Sequence, residues 1–522
     1  MRYAHIALCC AFLSMILCSR NTPCAAADGT RSVPGTSKVA ENMLPDDQVI
    51  QLPVKNDPTV SFRIWFKVGS VDDPWNKRGL AALTASMLAS ASTQDNSYAE
   101  ILAKLFPLAA EYGESVTVEM TVISGRTHKD NLADYYPLLR DAILRPAFKQ
   151  EDLDRLKADT LNYLQNTLRY ASDEELGKAV LYNDVFDWGD YGHIAAGTIE
   201  GVKSITLDDV RAFYKSHYTR KQVVLGIGGG YDSATLARVR RDLAQLPAGT
   251  WKPPPERTSE KPHGLKVTIV EKEDAPATAI SMGFPINVLR GHKDWYALAL
   301  ANSWLGEHRN SSSHLYQVIR EARGLNYGDY SYIENYPHGG ALQIPPQNVC
   351  RRHQIFEIWI RPVPNETRHF ALRAAIRELK HLVDDGLSEK DFALTRDFLS
   401  KYVLHYAPTT FARLGYALDD RFYKIDGSHL DIYRKRLAEM TRDEVNAAVK
   451  KHLQYENMHI VIVTKDAKAL KEALVSDAPS PIKYATPKPE SVLQEDEAIS
   501  RFPLKIKAED VRIVPVAELF EK

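Results

Sequence analysis

Apolar and polar positions along this chain follow two different periods. Val116, Val118, Met120 and Val122 fall on one side while Glu119 and Thr121 fall on the other, the period of two expected of a half-buried antiparallel strand. Leu80, Leu83 and Met87 recur at spacings of three and four, which predicts an amphipathic helix with one face on a core. From Val49 to about Leu246 such strands and helices succeed one another. Pro247 through Gly264, with Pro253-Pro254-Pro255, then reads as an extended linker. A second stretch follows in the same order. Thr206-Leu207-Asp208-Asp209-Val210, before a helix, and His217-Tyr218 recur as Thr441-Arg442-Asp443-Glu444-Val445 and His452-Leu453, both roughly 235 residues further on. Glu151-Asp152-Leu153, opening a long helix, recurs as Lys390-Asp391-Phe392. A period this long duplicates a whole module, whereas solenoid repeats run about 20 to 50 residues. The pattern predicts an α+β fold of two homologous domains, residues 45–246 and 265–474, each a largely antiparallel sheet covered by helices and joined by a linker at 247–264. Residues 475–522, rich in proline and lysine and ending in Val511-Arg512-Ile513-Val514 and Leu519-Phe520, are expected to strap the two domains or to reach a partner.

Composition adds mainly exclusions. With 44% hydrophobic and 25% charged residues the 522-residue chain is that of an ordinary globular protein. Lys+Arg 66 against Asp+Glu 67, a net charge of −1, argues for no nucleic-acid partner. The first 27 residues read as a secretory signal peptide, with Arg2, an apolar run from Ile6 to Cys18, and Ala25-Ala26-Ala27 as a cleavage site. A lipoprotein signal fits worse, because Leu17 precedes Cys18 and Pro23 precedes Cys24. Cys9, Cys10, Cys18 and Cys24 lie inside this leader, so the mature chain keeps only Cys350, which allows neither an internal disulfide nor a cysteine-rich metal site. No stretch of 18 apolar residues follows Ala27. The mature protein is therefore expected in an exported compartment, the periplasm in a bacterium, without a transmembrane segment.

Trp65-Phe66-Lys67-Val68-Gly69-Ser70-Val71-Asp72-Asp73-Pro74, followed by Gly79-Leu80-Ala81, resembles the first strand and helix of the pitrilysin/insulinase-type zinc peptidases. In that family this helix carries the inverted motif H-x-x-E-H. Two histidines four apart grip zinc from one helix face, the glutamate activates the bound water, and a further glutamate ligand comes from a second long helix. Laid on this chain, the histidine positions are Ala82 and Ser86, the glutamate position is Ala85, and the distal ligand falls near Tyr163. None is a zinc ligand or general base, and neither H-x-x-E-H nor H-E-x-x-H occurs elsewhere in the chain. The alternative to a lost site is that Ala82, Ala85 and Ser86 are small so that the helix can pack closely.

The second half carries Leu315-Tyr316-Gln317-Val318-Ile319-Arg320-Glu321-Ala322-Arg323-Gly324-Leu325-Asn326-Tyr327, which is similar to the family segment L-x-x-x-x-R-E-x-x-G-L-x-Y. There an arginine and a tyrosine seven residues apart face the zinc site from the opposite domain and bind the substrate backbone. A guanidinium and a phenol both donate to a carbonyl oxygen on which charge develops. By position these are Arg320 and Tyr327; the competing reading makes Arg320 a surface salt bridge and Tyr327 a core residue.

Other motifs are weaker. Gly226-Ile227-Gly228-Gly229-Gly230 lacks GxGxxG spacing and a P-loop lysine, and reads as a tight strand-to-helix turn. His308 and His314 stand six apart, not a one-face metal spacing, and read as part of a polar loop rimming a substrate chamber. Asn310-Ser311-Ser312 and Asn365-Glu366-Thr367 are sequons, and Tyr327, Tyr330, Tyr332 and Tyr336 alternate partly along an expected strand. The resemblance implies a pitrilysin/mitochondrial-processing-peptidase-like subunit, non-catalytic by itself and without its own cofactor. It would enclose peptides and supply Arg320 and Tyr327 to a zinc-bearing partner in a heterodimer. The alternative is a structural or chaperone-like pseudopeptidase with no part in proteolysis.

Overall fold

The computed structural model describes residues 43–522 apart from 188, 250–261, 338, 340 and 341. The leader at 1–27 and most of the linker at 247–264 lie outside the described residues. Strands β1 (Val49–Pro53), β2 (Thr59–Phe66), β3 (Glu111–Val116), β4 (Thr121–His128) and β5 (Val223–Gly229) form a sheet in the order β1-β5-β2-β4-β3. Strands β6 (Leu265–Glu271), β7 (Thr278–Ile286), β8 (Asp329–Tyr332), β9 (Gln354–Val363) and β10 (Met458–Thr464) repeat that order as β6-β10-β7-β9-β8, with β11 (Val511–Pro515) added outside β6. The β1–β5, β6–β10 and β6–β11 pairs are parallel and the other pairs antiparallel. This is the expected α+β architecture of two largely antiparallel sheets covered by helices. The repeated threonines act alike: Thr206 and Thr441 each cap a helix by accepting from Asp209 N and Glu444 N, both at 3.3 Å.

The helices that shape the site are α1 (Leu80–Ala89), α2 (Gln150–Asn162) and α3 (Asp173–Val185) of the first half, then α4 (Lys293–Gly306), α5 (Arg368–Asp385), α6 (Thr410–Tyr423), α7 (His429–Glu439) and α8 (Glu490–Ser500) of the second. Each half buries its own core, Phe62, Leu83 and Leu139 in the first, Met282, Leu298 and Leu379 in the second. The halves also exchange helices: α3 packs on β7, β9 and β10, while α6 packs on β1, β2 and β5. A small cluster of Trp65, Met120, Val224, Leu414 and Leu418 with the single described cysteine, Cys350, seals α6 to the first sheet.

Three local expectations change. Val116 to Val122 is not one strand: Thr117 N donates to Met120 O at 2.8 Å and residues 117–120 turn β3 into β4. The two-residue alternation of the sequence crosses this turn, but the faces do not follow it: Val116 pairs with Thr121 and Ser115 with Val122, so Val116 packs toward the first-half core and Val122 toward α6. Helix α1 is buried nearly all round, because helices pack on it as well as the sheet; only Ala82 and Ser86 within it are half-exposed. Of the glycine run, Gly226–Gly229 lie within β5, and the turn expected after the strand begins only at Gly229, at φ +99, and Gly230. A Cβ at Gly226 would stand 2.7 Å from Leu418 Cδ1 and one at Gly228 3.0 Å from Thr410 Cγ2, so these glycines let α6 cross the strand.

The C-terminal extension straps both halves. β11 lengthens the second sheet and α8 lies on α5. Buried Arg373 donates to Asp477 Oδ1 at 2.8 Å, Ser480 Oγ at 2.9 Å and Ser500 O at 2.5 Å. Phe520 then enters the first-half core, and its carbonyl accepts from Ile199 N at 2.8 Å.

Candidate functional site

The loop leading into α1 is fixed by Asp73, whose carboxylate accepts from Gly79 N and Ala81 N, both at 2.7 Å, and contacts His193 Nε2 at 3.1 Å. Gly79 turns into the helix at φ +103, a conformation that side chains resist. The helix therefore starts in a defined register against edge strand β3. Ala82 and Ser86, four apart, share its half-exposed face, while Ala85 is buried. Ser86 Oγ donates to Glu114 Oε1 of β3 at 2.6 Å and Ser90 Oγ to Glu114 Oε2 at 3.3 Å. Tyr163 is half-buried where α2 widens into a π-helical stretch, Tyr163–Ala171, and burial raises its phenol pKa.

These residues do not fit zinc. Two methyl groups, a hydroxyl already bonded to Glu114, and a phenol held protonated by burial supply no ligand set of the imidazole–carboxylate kind. Among the described residues no group of three or more His, Cys, Asp or Glu could hold a metal ion. Glu114 is the polar residue here that the motif alignment does not reach; its only signal is an acid within an edge strand.

In the second half Arg320 lies in another π-helical stretch, Tyr316–Glu321, next to β8 and α5. Ala322 N bonds Gln317 O at 3.0 Å, a five-residue step. Such wide turns are rare and recur at functional positions; the two among the described residues hold Tyr163 and Arg320. Gly324, at φ +71, ends the helical run and lets the chain turn back toward Tyr327. Tyr327 is 79% exposed, and the Arg320 guanidinium carbon stands 5.5 Å from its ring centroid. Arg320 Nε is buried without a hydrogen-bond partner, and the side chain forms no ion pair among the described residues. The geometry is thus a cation beside an exposed phenol with unused donors.

Neighbouring Arg323 anchors this segment. It is 3% exposed and donates to Asp496 Oδ1 at 2.7 Å and Glu495 Oε2 at 2.8 Å, both on α8. The C-terminal extension therefore sets the position of the Arg320/Tyr327 segment, a link invisible in spacing because the partners lie over 170 residues apart.

His308 and His314 do not rim a chamber together. His308 is buried, bonded through Nδ1 to Tyr332 Oη at 2.8 Å and through Nε2 to Leu342 O at 2.9 Å, whereas His314 meets Glu378 at 2.7 Å. Of the four tyrosines only Tyr330 and Tyr332 lie in β8, where they are buried, as is Tyr336 beyond the strand. At the sequons, Asn310 accepts from Ser312 N at 2.9 Å and Asn365 from Thr278 Oγ1 at 2.7 Å.

Two family descriptions match this frame: "Insulinase (Peptidase family M16)" over residues 49–187 and "Peptidase M16 inactive domain" over residues 204–399. The chain belongs to the insulinase family of peptidases. An uncharacterized zinc protease of Streptomyces coelicolor is 24% identical over 64% of this chain and 69% of its own length. A protein named non-peptidase homolog YmxG, from Helicobacter pylori, is 23% identical over 77% of this chain and 87% of its own. Among solved structures, a peptidase M16 inactive domain from Pseudomonas fluorescens superposes with a TM-score of 0.69 at 22% identity, covering 80% of this chain and 95% of that one. The periplasmic protease PqqL from Escherichia coli reaches 0.64 at 13% identity, over 87% and 49%. Among the described residues no helix is long and apolar enough to cross a membrane.

Proposed function

We propose that this chain is the non-catalytic subunit of a heteromeric insulinase-type peptidase, exported behind the leader at 1–27. Its two homologous domains, 45–246 and 265–474, with the extension at 475–522, would form half of a peptide-enclosing chamber. A zinc-bearing relative would supply the metal and this chain would supply Arg320 and Tyr327. The observation that carries this reading is an asymmetry within one chain. The positions of the metal motif, Ala82, Ala85, Ser86 and Tyr163, offer no ligand set, while Arg320 and Tyr327 hold unused donors at the mouth of a segment anchored by Arg323. A structural arginine would be expected to carry an acceptor. The unpaired outer edge of β3, beside Ala82 and Ser86, adds a place where an extended peptide can form a further strand.

Zinc analysis and peptide cleavage, on the chain alone and mixed with a zinc-motif relative from the same source, test the proposal. The chain alone should hold no stoichiometric zinc and cleave nothing; the mixture should cleave peptides faster than the relative alone. A stable assembly with no gain in turnover would favour the structural or chaperone-like alternative.

A further inference from the structure

A cavity of about 70 Å³ lies in the second half between α4, β8, α6 and α7. At about 30 Å³ per water it has room for a ligand of a few heavy atoms. Its wall holds Glu307, a carboxyl only 9% exposed that no cation pairs with among the described residues. Burial pushes this carboxyl up to about 7. The phenols of Tyr336, Tyr406 and Tyr433 line the same cavity and are held protonated by burial first and then by the Glu307 charge.

Two further polar atoms on the wall are unspent. Asn302 Oδ1 and Trp295 Nε1 are buried without hydrogen-bond partners, and buried polar groups ordinarily find one. Basic groups nearby are already committed. Arg290 is paired with Glu334 at 2.6 Å and Asp419 at 3.0 Å; Lys178 is paired with Glu357 at 3.2 Å. His308 is bonded through both ring nitrogens and pushed down to about 4 by burial, so it brings no charge at neutral pH. A carboxylate, an amide oxygen and several aromatic rings make a wall that favours a cation with N–H donors.

We propose that this cavity is a binding site for a small primary alkylammonium ion, its N–H groups donating to Glu307 and Asn302 Oδ1 and its charge lying against Tyr336, Tyr406 and Tyr433. The site is independent of any partner subunit and of Arg320. Saturation-transfer NMR with methylammonium, using methanol as the neutral probe of similar size, tests it on the full chain. Methylammonium should show transfer and methanol little; Glu307→Gln should weaken methylammonium roughly tenfold, the loss of a charge-assisted contact, while Asn302→Asp should tighten it. Circular dichroism on both variants separates loss of binding from loss of fold. N-acetyl-lysinamide distinguishes the sources: competition assigns the ammonium to a lysine side chain, and no competition to a free amine. Equal transfer to methanol, or undiminished methylammonium binding by a folded Glu307→Gln protein, would overturn the proposal.

Discussion

The two halves repeat one frame and fill it differently. In the first, α1 meets edge strand β3 and presents Ala82, Ser86 and Glu114; in the second, α4 meets β8 and the junction holds Glu307, Asn302 and a ring of tyrosines. Residues 117–120 turn β3 into β4, whereas residues 333–353 connect β8 to β9 and supply Glu334, Tyr336 and Pro345 to the cavity wall. The same connection carries Asn348, Arg351 and Arg352 into the first half. There Asn348 meets Arg63, Arg351 stacks on Phe186, and Arg352 meets Glu119 at 2.5 Å. Strand order and helix exchange rest on backbone pairing and close glycine contacts, which tolerate any chemistry at the junction. The chemistry rests on a handful of side chains that the duplication leaves free to diverge.

The frame should break most severely where the halves interlock. Gly226→Val places methyl groups in the space of Leu418 and the Arg63 carbonyl, whereas nothing lies within 4 Å of a Cβ at Gly113 on edge strand β3. Urea denaturation should show a loss of about 3 kcal/mol or more for Gly226→Val and under about 1 kcal/mol for Gly113→Val. Equal losses would mean that α6 can shift away from the first sheet.

A smaller loss is expected at the strap. Asp496→Ala leaves buried Arg323 with Glu495 as its one carboxylate partner beside the Val318 carbonyl, and should cost about 2 kcal/mol. It should also mobilise the Arg320/Tyr327 segment, measured as faster amide exchange at residues 320–327. Unchanged exchange would show that α8 does not hold that segment.

The second-half cavity gives the pH test. Glu307 titrates near 7 in the fold, against about 4.5 in an unfolded chain. The folded state then binds more protons between those values, so this group's contribution to stability falls as pH rises from about 4.5 to 7 and stays low above it. Glu307→Gln should stabilise the protein at pH 8 by at most about 3 kcal/mol and leave it nearly unchanged at pH 4. Equal effects at both pH values would place Glu307 in water.

Much of the frame is legible in the sequence because its signals are local. Thr206 and Thr441 cap equivalent helices, and the period of two marks the strands. The turn at Thr117–Met120 is hidden because both faces of this hairpin are covered, so Val116 and Val122 are apolar although they pack toward different cores. The glycines of β5 look like a turn because their reason, Leu418 and Thr410 of α6, lies about 190 residues away. The absent zinc motif and the Arg320/Tyr327 spacing are readable as patterns. The support from Glu495 and Asp496, and the tyrosine-walled cavity around Glu307, come only from distant segments meeting in space.

The role proposed for Arg320 is in chemistry carried out on another chain. Its most direct test is steady-state peptide cleavage by the assembled complex with a zinc-motif relative, comparing Arg320 with Arg320→Ala at matched assembly. The account predicts a fall in kcat on the order of 100-fold, with zinc content and complex formation unchanged. An unaltered kcat in an intact complex would contradict it.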